Sequence, residues 1–387
     1  MAKIQYRDFE LSWQQPFLGK PRLHRLGVRE GFPQTAIADR IFQQFGLGYF
    51  ICHHFPKALE TDFTVVPSVR RLVEAMYRYH GKAAPRWRYP DARVKKQLVS
   101  APLNPGKVVV TLSGGKDGLY YLLRCIERYG KENTLAVHIA NLSMEGVSHR
   151  EQKAAKDLAA RLGVRLDVIR LVNSTRIPGY RIMNFRDIFL PAMLAVKAQE
   201  FGAGKIFMEG SRDALESGDP YFSDLASSQR ALHRVLGEWG LKIEVVSERI
   251  SEHEVLRRMF MNSDWAELMP HTHSCLRCDR LMTFCRKWHR NTFPDLFARF
   301  YEGQCGSCFK CRVITLARIL WDPTIQDVPL AERRAYAEQT HQWREKFRRK
   351  LERQKEGSWD FINDPSFLRL AMEAEDKLAK ETQRETP

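Results

Sequence analysis

Residues 107–118, KVVVTLSGGKDG, decide how this chain is read. Val108 to Leu112 form an apolar, largely β-branched run of buried-strand length, and the glycine pair that follows lets the backbone turn sharply into GLYYLLRCIERYG, which reads as a helix. A strand, a glycine turn and a helix N-terminus in that order bring bare N–H groups up to an anion. Ser113 can donate a hydroxyl hydrogen bond, Lys116 can offset phosphate charge, and Asp117 makes sense beside phosphate if a divalent cation lies between them. Gly114 and Gly115 supply the turn, and Gly118 stands where a hydroxyl would be useful. The spacing is neither that of a Walker loop nor the GxGxxG dinucleotide fingerprint.

Outward from this loop the pattern alternates. TLAVHIA, RLDVIRL, GKIFMEG and LKIEVVS read as further strands, separated by helix-length segments such as SHREQKAAKDLAARLG and MNFRDIFLPAMLAVKAQEFG. The expected fold class is α/β: a parallel five-stranded sheet with helices on both faces, its ligands at the carboxyl ends of the strands. Residues 105–270 would form this domain. Residues 1–104 read as an N-terminal accessory region of short elements that ends in the boundary signal APLNPG, 271–325 as a cysteine-rich segment, and 326–387 as a basic helical tail. SEHEVLRRMF, with Glu254 three residues after Ser251, carries the signature of a capping box.

Hydrophobic residues at 44% and charged residues at 28% describe an ordinary globular chain and exclude a disordered or fibrous one. No run of about 18 apolar residues and no signal-peptide core are evident, so no membrane association and a cytoplasmic location are expected. The net charge of +16 favours polyanionic partners such as nucleotides or nucleic acid.

Six of the eight cysteines fall between Cys275 and Cys311. Such clustering in a cytosolic chain reads as a metal site before it reads as disulfides. GQCGSCFKCR places Cys305, Cys308 and Cys311 in a doubled C-x2-C spacing, and three thiolates with a fourth ligand from elsewhere would close a tetrahedral zinc site. An iron–sulfur cluster is the competing reading, since its ligands are also cysteines. HTHSCLRC supplies the candidates His271, His273, Cys275 and Cys278, and Cys285 lies a little further on.

SGGKDG resembles the SGGxDS pyrophosphate-binding loop of the PP-loop ATP pyrophosphatases, which cleave ATP to AMP and pyrophosphate while adenylating a substrate. Within that superfamily, residues 107 to about 320 are most similar to the 7-cyano-7-deazaguanine synthases, the QueC-like proteins. The resemblance implies a PP-loop/HUP-like fold, ATP with Mg2+, a structural Zn2+, and a 7-deazaguanine-type small-molecule substrate whose carboxylate is adenylated for attack by an amine, giving amide or nitrile. It places Ser113, Lys116 and Asp117 in catalysis and the loop from Ser113 to Gly118, with Arg186, on ATP. Glu151 matches an acidic position of the family and Asp187 stands where asparagine is usual. In ESGDPYFSD, Asp219 or Asp224 would accept bonds from the base. Cys275 matches the cysteine upstream of the triplet and is the expected fourth ligand, with Cys278 and Cys285 as substitutes. QueC-like proteins with extra regions also occur in anti-phage operons, which makes a protein amine a possible acceptor. A tRNA-modifying PP-loop enzyme, to which PRWRYPDARVKK and the net charge lend mild support, and a nucleotide-binding scaffold with a weakened loop are the alternatives.

Overall fold

The computed structural model describes residues 2–17, 20–52, 55–91, 103–142, 145–173, 179–211, 222–275, 279–352 and 364–385. The expected strands are present as β6 (Asn104–Thr111), β7 (Thr134–Ala140), β8 (Arg165–Asn173), β9 (Ala203–Ser211) and β10 (Glu244–Ile250). They pair in parallel in the order β10-β9-β6-β7-β8. Chain progress therefore runs outward from β6 in both directions. The carboxyl end of β6, where the glycine loop begins, lies at the point where strand order reverses, which is where open α/β sheets bind ligands.

Among the described residues the sheet has ten strands, not five. The first region contributes β1 (Ala2–Arg7), β2 (Glu10–Phe17), β3 (Lys20–Glu30), β4 (Ala58–Thr61) and β5 (Arg86–Arg88). Strand β3 pairs antiparallel with β8, so the sheet continues as β8-β3-β2-β1-β4-β5. The pattern of these strands is legible only in hindsight: Ala2 and Ile4 point inward while Lys3 and Gln5 are exposed, an alternation diluted by the charged and amide residues between. Asp8 and Phe9, both at positive φ, make the two-residue turn that joins β1 to β2.

Alternate residues of the parallel strands feed two cores. Val109, Val137, Ile169 and Ile206 face helices α1 (Ala36–Ile51), α2 (Pro67–Tyr79), α5 (Gly179–Phe201) and α6 (Ala226–Glu238). Val108, Val110, Ala136 and Phe207 face α3 (Lys116–Tyr129), α4 (Glu145–Leu162), α7 (Glu252–Met261) and the C-terminal helices. The first region is thus fused to the sheet and to α5: a β-carbon on Gly48 of α1 would sit 2.3 Å from the Phe185 ring of α5.

After α7 come α8 (Ser263–Ala266), α9 (Asp279–Thr292), α10 (Pro294–Ala298), α11 (Phe309–Trp321), α12 (Leu330–Glu352) and α13 (Pro365–Glu385). The tail is not wholly solvated. Phe367, Leu370, Ala374 and Leu378 form a helical-period stripe on α13 that is buried in the second core. Lys377 Nζ donates to the terminal carbonyls of α11 at Ile319 and Leu320, 2.9 Å each. No helix of the described residues is long and apolar enough to cross a membrane.

Candidate nucleotide loop and cysteine centre

The loop after β6 is as tight as its glycines require. Gly114 has φ +87°, and a β-carbon there would lie 2.3 Å from the Glu151 carbonyl oxygen on α4 and 3.1 Å from the Ala155 nitrogen. Both the backbone conformation and the space exclude a side chain. Glu151 therefore abuts the loop through its backbone. Gly115 is the N-cap of α3 and brings no capping side chain; its own N–H donates to Ser113 Oγ at 3.3 Å. Gly118 is close-packed too: a β-carbon there would meet Ser113 N at 3.0 Å and Ser113 Oγ at 3.1 Å.

Lys116 differs from the expectation. Its side chain does not stand free to meet phosphate; it is fully buried, with Nζ 2.7 Å from both Asp117 carboxylate oxygens and 2.6 Å from Glu252 Oε1. Lys310 Nζ approaches the same Glu252 oxygen at 3.3 Å. Burial by itself lowers the Lys116 pKa, but the Asp117 and Glu252 carboxylates outweigh it and raise the ammonium above its ordinary range. Burial likewise opposes ionisation of Glu252, and the two lysines reverse that, holding its carboxyl down at about 2. The charge that the sequence offered to phosphate is committed to an internal network.

That network ties the loop to the cysteine region. Lys116 N–H donates to Ser274 Oγ at 3.2 Å, and His273 N–H donates to the Gly114 carbonyl at 2.7 Å. Ser274 immediately precedes Cys275. Lys310 sits between Cys308 and Cys311 in sequence, so both arms from the loop end beside sulfur.

The four sulfurs of Cys275, Cys305, Cys308 and Cys311 all lie within 4.8 Å of one another, and all four residues are buried. Cys305 and Cys311 Sγ are 3.8 Å apart, and Cys308 and Cys275 Sγ 4.0 Å. A tetrahedral zinc ion with bonds of about 2.3 Å sets its sulfurs about 3.8 Å apart, so the donor set fits. Backbone N–H groups stabilise the sulfurs, Cys305 N toward Cys311 and Cys308 N toward Cys305, both at 3.3 Å. Hydrogen bonding within the cluster, first from Cys275, pulls the Cys305 thiol far below its usual range. Gly306 at φ +74° makes the turn, where a β-carbon would strike the Phe300 and His289 rings. Arg286 Nη1 donates to the Tyr301, Glu302 and Gln304 carbonyls, and Tyr336 Oη to that of Gly306, which holds the knuckle in place.

The remaining candidates distribute unevenly. Cys285 is buried beside the cluster but outside the four, and Cys278 lies outside the described residues. His271 Nδ1 pairs with Asp157 Oδ2 at 2.8 Å. Arg186 and Asp187 pair with each other on α5 at 2.7 Å, and Gln229 Nε2 donates to the carbonyls of both Asp187 and Ser223, drawing α5 to the 3-10 turn Phe222–Asp224. The Asp224 side chain and the whole of Asp219 lie outside the described residues. Ser251 Oγ accepts from Glu254 N–H at 3.2 Å, but the Glu254 carboxylate turns to Arg257 and Arg258, so the capping box is half made. Sequence reasoning missed Glu252 and Lys310; the one available signal was a carboxylate at the first position of a helix that follows the edge strand.

No family model and no curated protein matches the chain. Solved structures do: an NH3-dependent NAD synthetase from Campylobacter jejuni, in complex with nitrate, at 18% identity over 36% of this chain and 68% of that one, TM-score 0.24. A glutamine-dependent NAD+ synthetase from Acinetobacter baumannii, in complex with ADP, matches at 13% identity over 70% of this chain and 44% of that one, TM-score 0.30. Similarity at that level leaves function to be argued from the residues themselves.

Proposed function

We propose that this chain is a PP-loop adenylating enzyme that spends ATP to form a C–N bond, with a QueC-like carboxylate on a 7-deazaguanine-type substrate as the group activated. The observation that carries the reading is the Ser113–Gly118 loop at the strand-order switch, with its backbone shaped by Gly114 and opening the fourteen-residue helix α3.

A carboxylate is a poor electrophile. Its oxygen attacks the α-phosphorus and pyrophosphate departs; the amine then attacks the acyl carbon of the adenylate, the C–O bond to AMP breaks, and AMP and a proton leave with the amide formed. In this chain the departing pyrophosphate would be stabilised by loop amides and by Ser113, not by Lys116, whose charge is already balanced. Asp117 is the carboxylate available to the Mg2+ that accompanies ATP, in exchange for part of its pairing with Lys116. Cys275, Cys305, Cys308 and Cys311 would hold zinc with no open position, a structural role that sets Ser274 against the loop. The acceptor is ammonia or a protein amine; the first region, fused to the sheet, gives the chain more surface than the chemistry alone requires.

A second reading, a nucleotide-binding scaffold, draws on the neutralised Lys116 and the absent hydroxyl at Gly118. The tRNA reading rests on net charge and on the segment around Trp87, whose indole N–H donates to Glu74 at 3.0 Å. Incubation with ATP, Mg2+, a 7-carboxy-7-deazaguanine and ammonia, read by AMP and pyrophosphate release, separates these. Turnover dependent on the carboxylate supports the enzyme; ATP binding without turnover for any acceptor supports the scaffold.

A further inference from the structure

On the face of the sheet opposite α3, a cleft of about 170 Å3 runs between α2 and α6. Arg71 and Arg234 stand on its rim, both exposed, and neither has a hydrogen-bond or ion-pair partner among the described residues. Ser228 lies at its floor, 2% exposed, and its hydroxyl oxygen is buried with no hydrogen-bond partner. Leu72 and Phe222 form an apolar wall.

Each feature is unfavourable by itself. A buried hydroxyl without a partner forfeits its hydration, and two guanidiniums facing one cleft repel. The thirteen-residue helix α6 has Leu225 as its N-cap, which provides no capping side chain, so the positive end of its dipole, beside Ser228, adds to the same field. No carboxylate lines the cleft among the described residues, and Ser68 Oγ on its wall donates to Glu238 Oε2 at 2.7 Å. A dianion between the arginines relieves all three at once: guanidinium forks match phosphate oxygens, and Ser228 Oγ gains an acceptor.

We propose that this cleft binds the phosphate group of a small phosphomonoester, with Arg71 and Arg234 on the phosphate, Ser228 Oγ donating to it, and an apolar or aromatic body against Leu72 and Phe222. The cleft volume suits a phosphate and a single ring and is too small for a protein segment. The site is independent of the nucleotide loop.

Calorimetric titration of the full chain with phenyl phosphate tests this, with inorganic phosphate and benzoate as comparison probes. Saturable binding of phenyl phosphate is expected, tighter than that of either comparison probe, and unchanged in Ser113→Ala. The Arg71→Gln/Arg234→Gln variant should bind about 100-fold more weakly, two charge-assisted bonds being lost. Both side chains are exposed, so its melting temperature without ligand should match the parent's. Ser228→Ala should weaken binding while leaving the free protein equally or more heat-stable. No saturable binding, retained binding in the double arginine variant, benzoate binding as tightly as phenyl phosphate, or loss of binding in Ser113→Ala each overturns the proposal.

Discussion

Lys116 Nζ lies 2.6 Å from Glu252 Oε1, joining the first turn of the helix after β6 to the first residue of the helix after β10. The pair spans the sheet's reversal point, with Lys116 fully buried and Glu252 nearly so. Loop shape and cysteine centre are thereby coupled through one carboxylate.

Glu252→Gln removes one of the two anions that compensate a buried ammonium. Breaking such a pair costs about 3–5 kcal/mol, and because Asp117 remains, a loss near about 3 kcal/mol is expected in urea denaturation. The pH dependence has a definite sign. The Glu252 carboxyl is held below its ordinary 4.5, at about 2, so its contribution is complete above that ordinary value and drains away as pH falls toward about 2. The parent should lose stability steeply across that window, and the variant should lose less; equal slopes would remove Glu252 from the network.

Gly114→Ala places a β-carbon at positive φ and 2.3 Å from a carbonyl oxygen. The conformation alone costs about 1–2 kcal/mol, and the clash forces α4 from the loop. ATP binding measured by filter retention should fall below detection in the folded fraction.

Gly118→Ser is a different case, since only space opposes it. Its β-carbon would press on Ser113 N at 3.0 Å, so the loop must open by a few tenths of an ångström. A cost of about 1–3 kcal/mol is expected in thermal denaturation, with no gain in ATP affinity despite the new hydroxyl.

Elemental analysis of purified protein should find a single zinc ion per chain. Cys275→Ser should lower its occupancy and Cys285→Ser should not, because Cys285 lies outside the four-sulfur group. Chelation should weaken ATP binding as well as stability, since Ser274, next to Cys275, holds the Lys116 amide. Ser274→Ala alone should cost about 0.5–1.5 kcal/mol and reproduce part of that ATP effect.

Gly48→Ala tests whether the first region shapes the α/β part. Its β-carbon would enter the Phe185 ring, one residue before Arg186. Overpacking of about 1–3 kcal/mol is expected, with a shift in the Arg186–Asp187 pair visible as altered turnover once a substrate is in hand.

Much of this was legible in advance, because it depends on local order. The five parallel strands, their helices and the glycine loop follow from apolar periodicity and from residues a few positions apart, and each appears within a few residues of its expected bounds. The first region was harder. Its strands mix buried Leu11, Trp13 and Leu26 with charged and amide neighbours, so no single strand announces itself until β3 finds β8. The fourth sulfur was ambiguous among three cysteines, since spacing constrains only the ligands that share a turn.

By itself, then, the sequence determined the α/β alternation, the strand–glycine loop–helix unit and the three-sulfur knuckle. Only the tertiary structure decided that the sheet runs to ten strands among the described residues, that Cys275 completes the four-sulfur group, and that Lys116 faces inward to Glu252 rather than outward to a phosphate. The reason is electrostatic and geometric. A lysine's partner depends on which carboxylate the fold brings within reach and on how much water it excludes there, and residues 136 positions apart meet only when the sheet sets β6 and β10 on either side of β9.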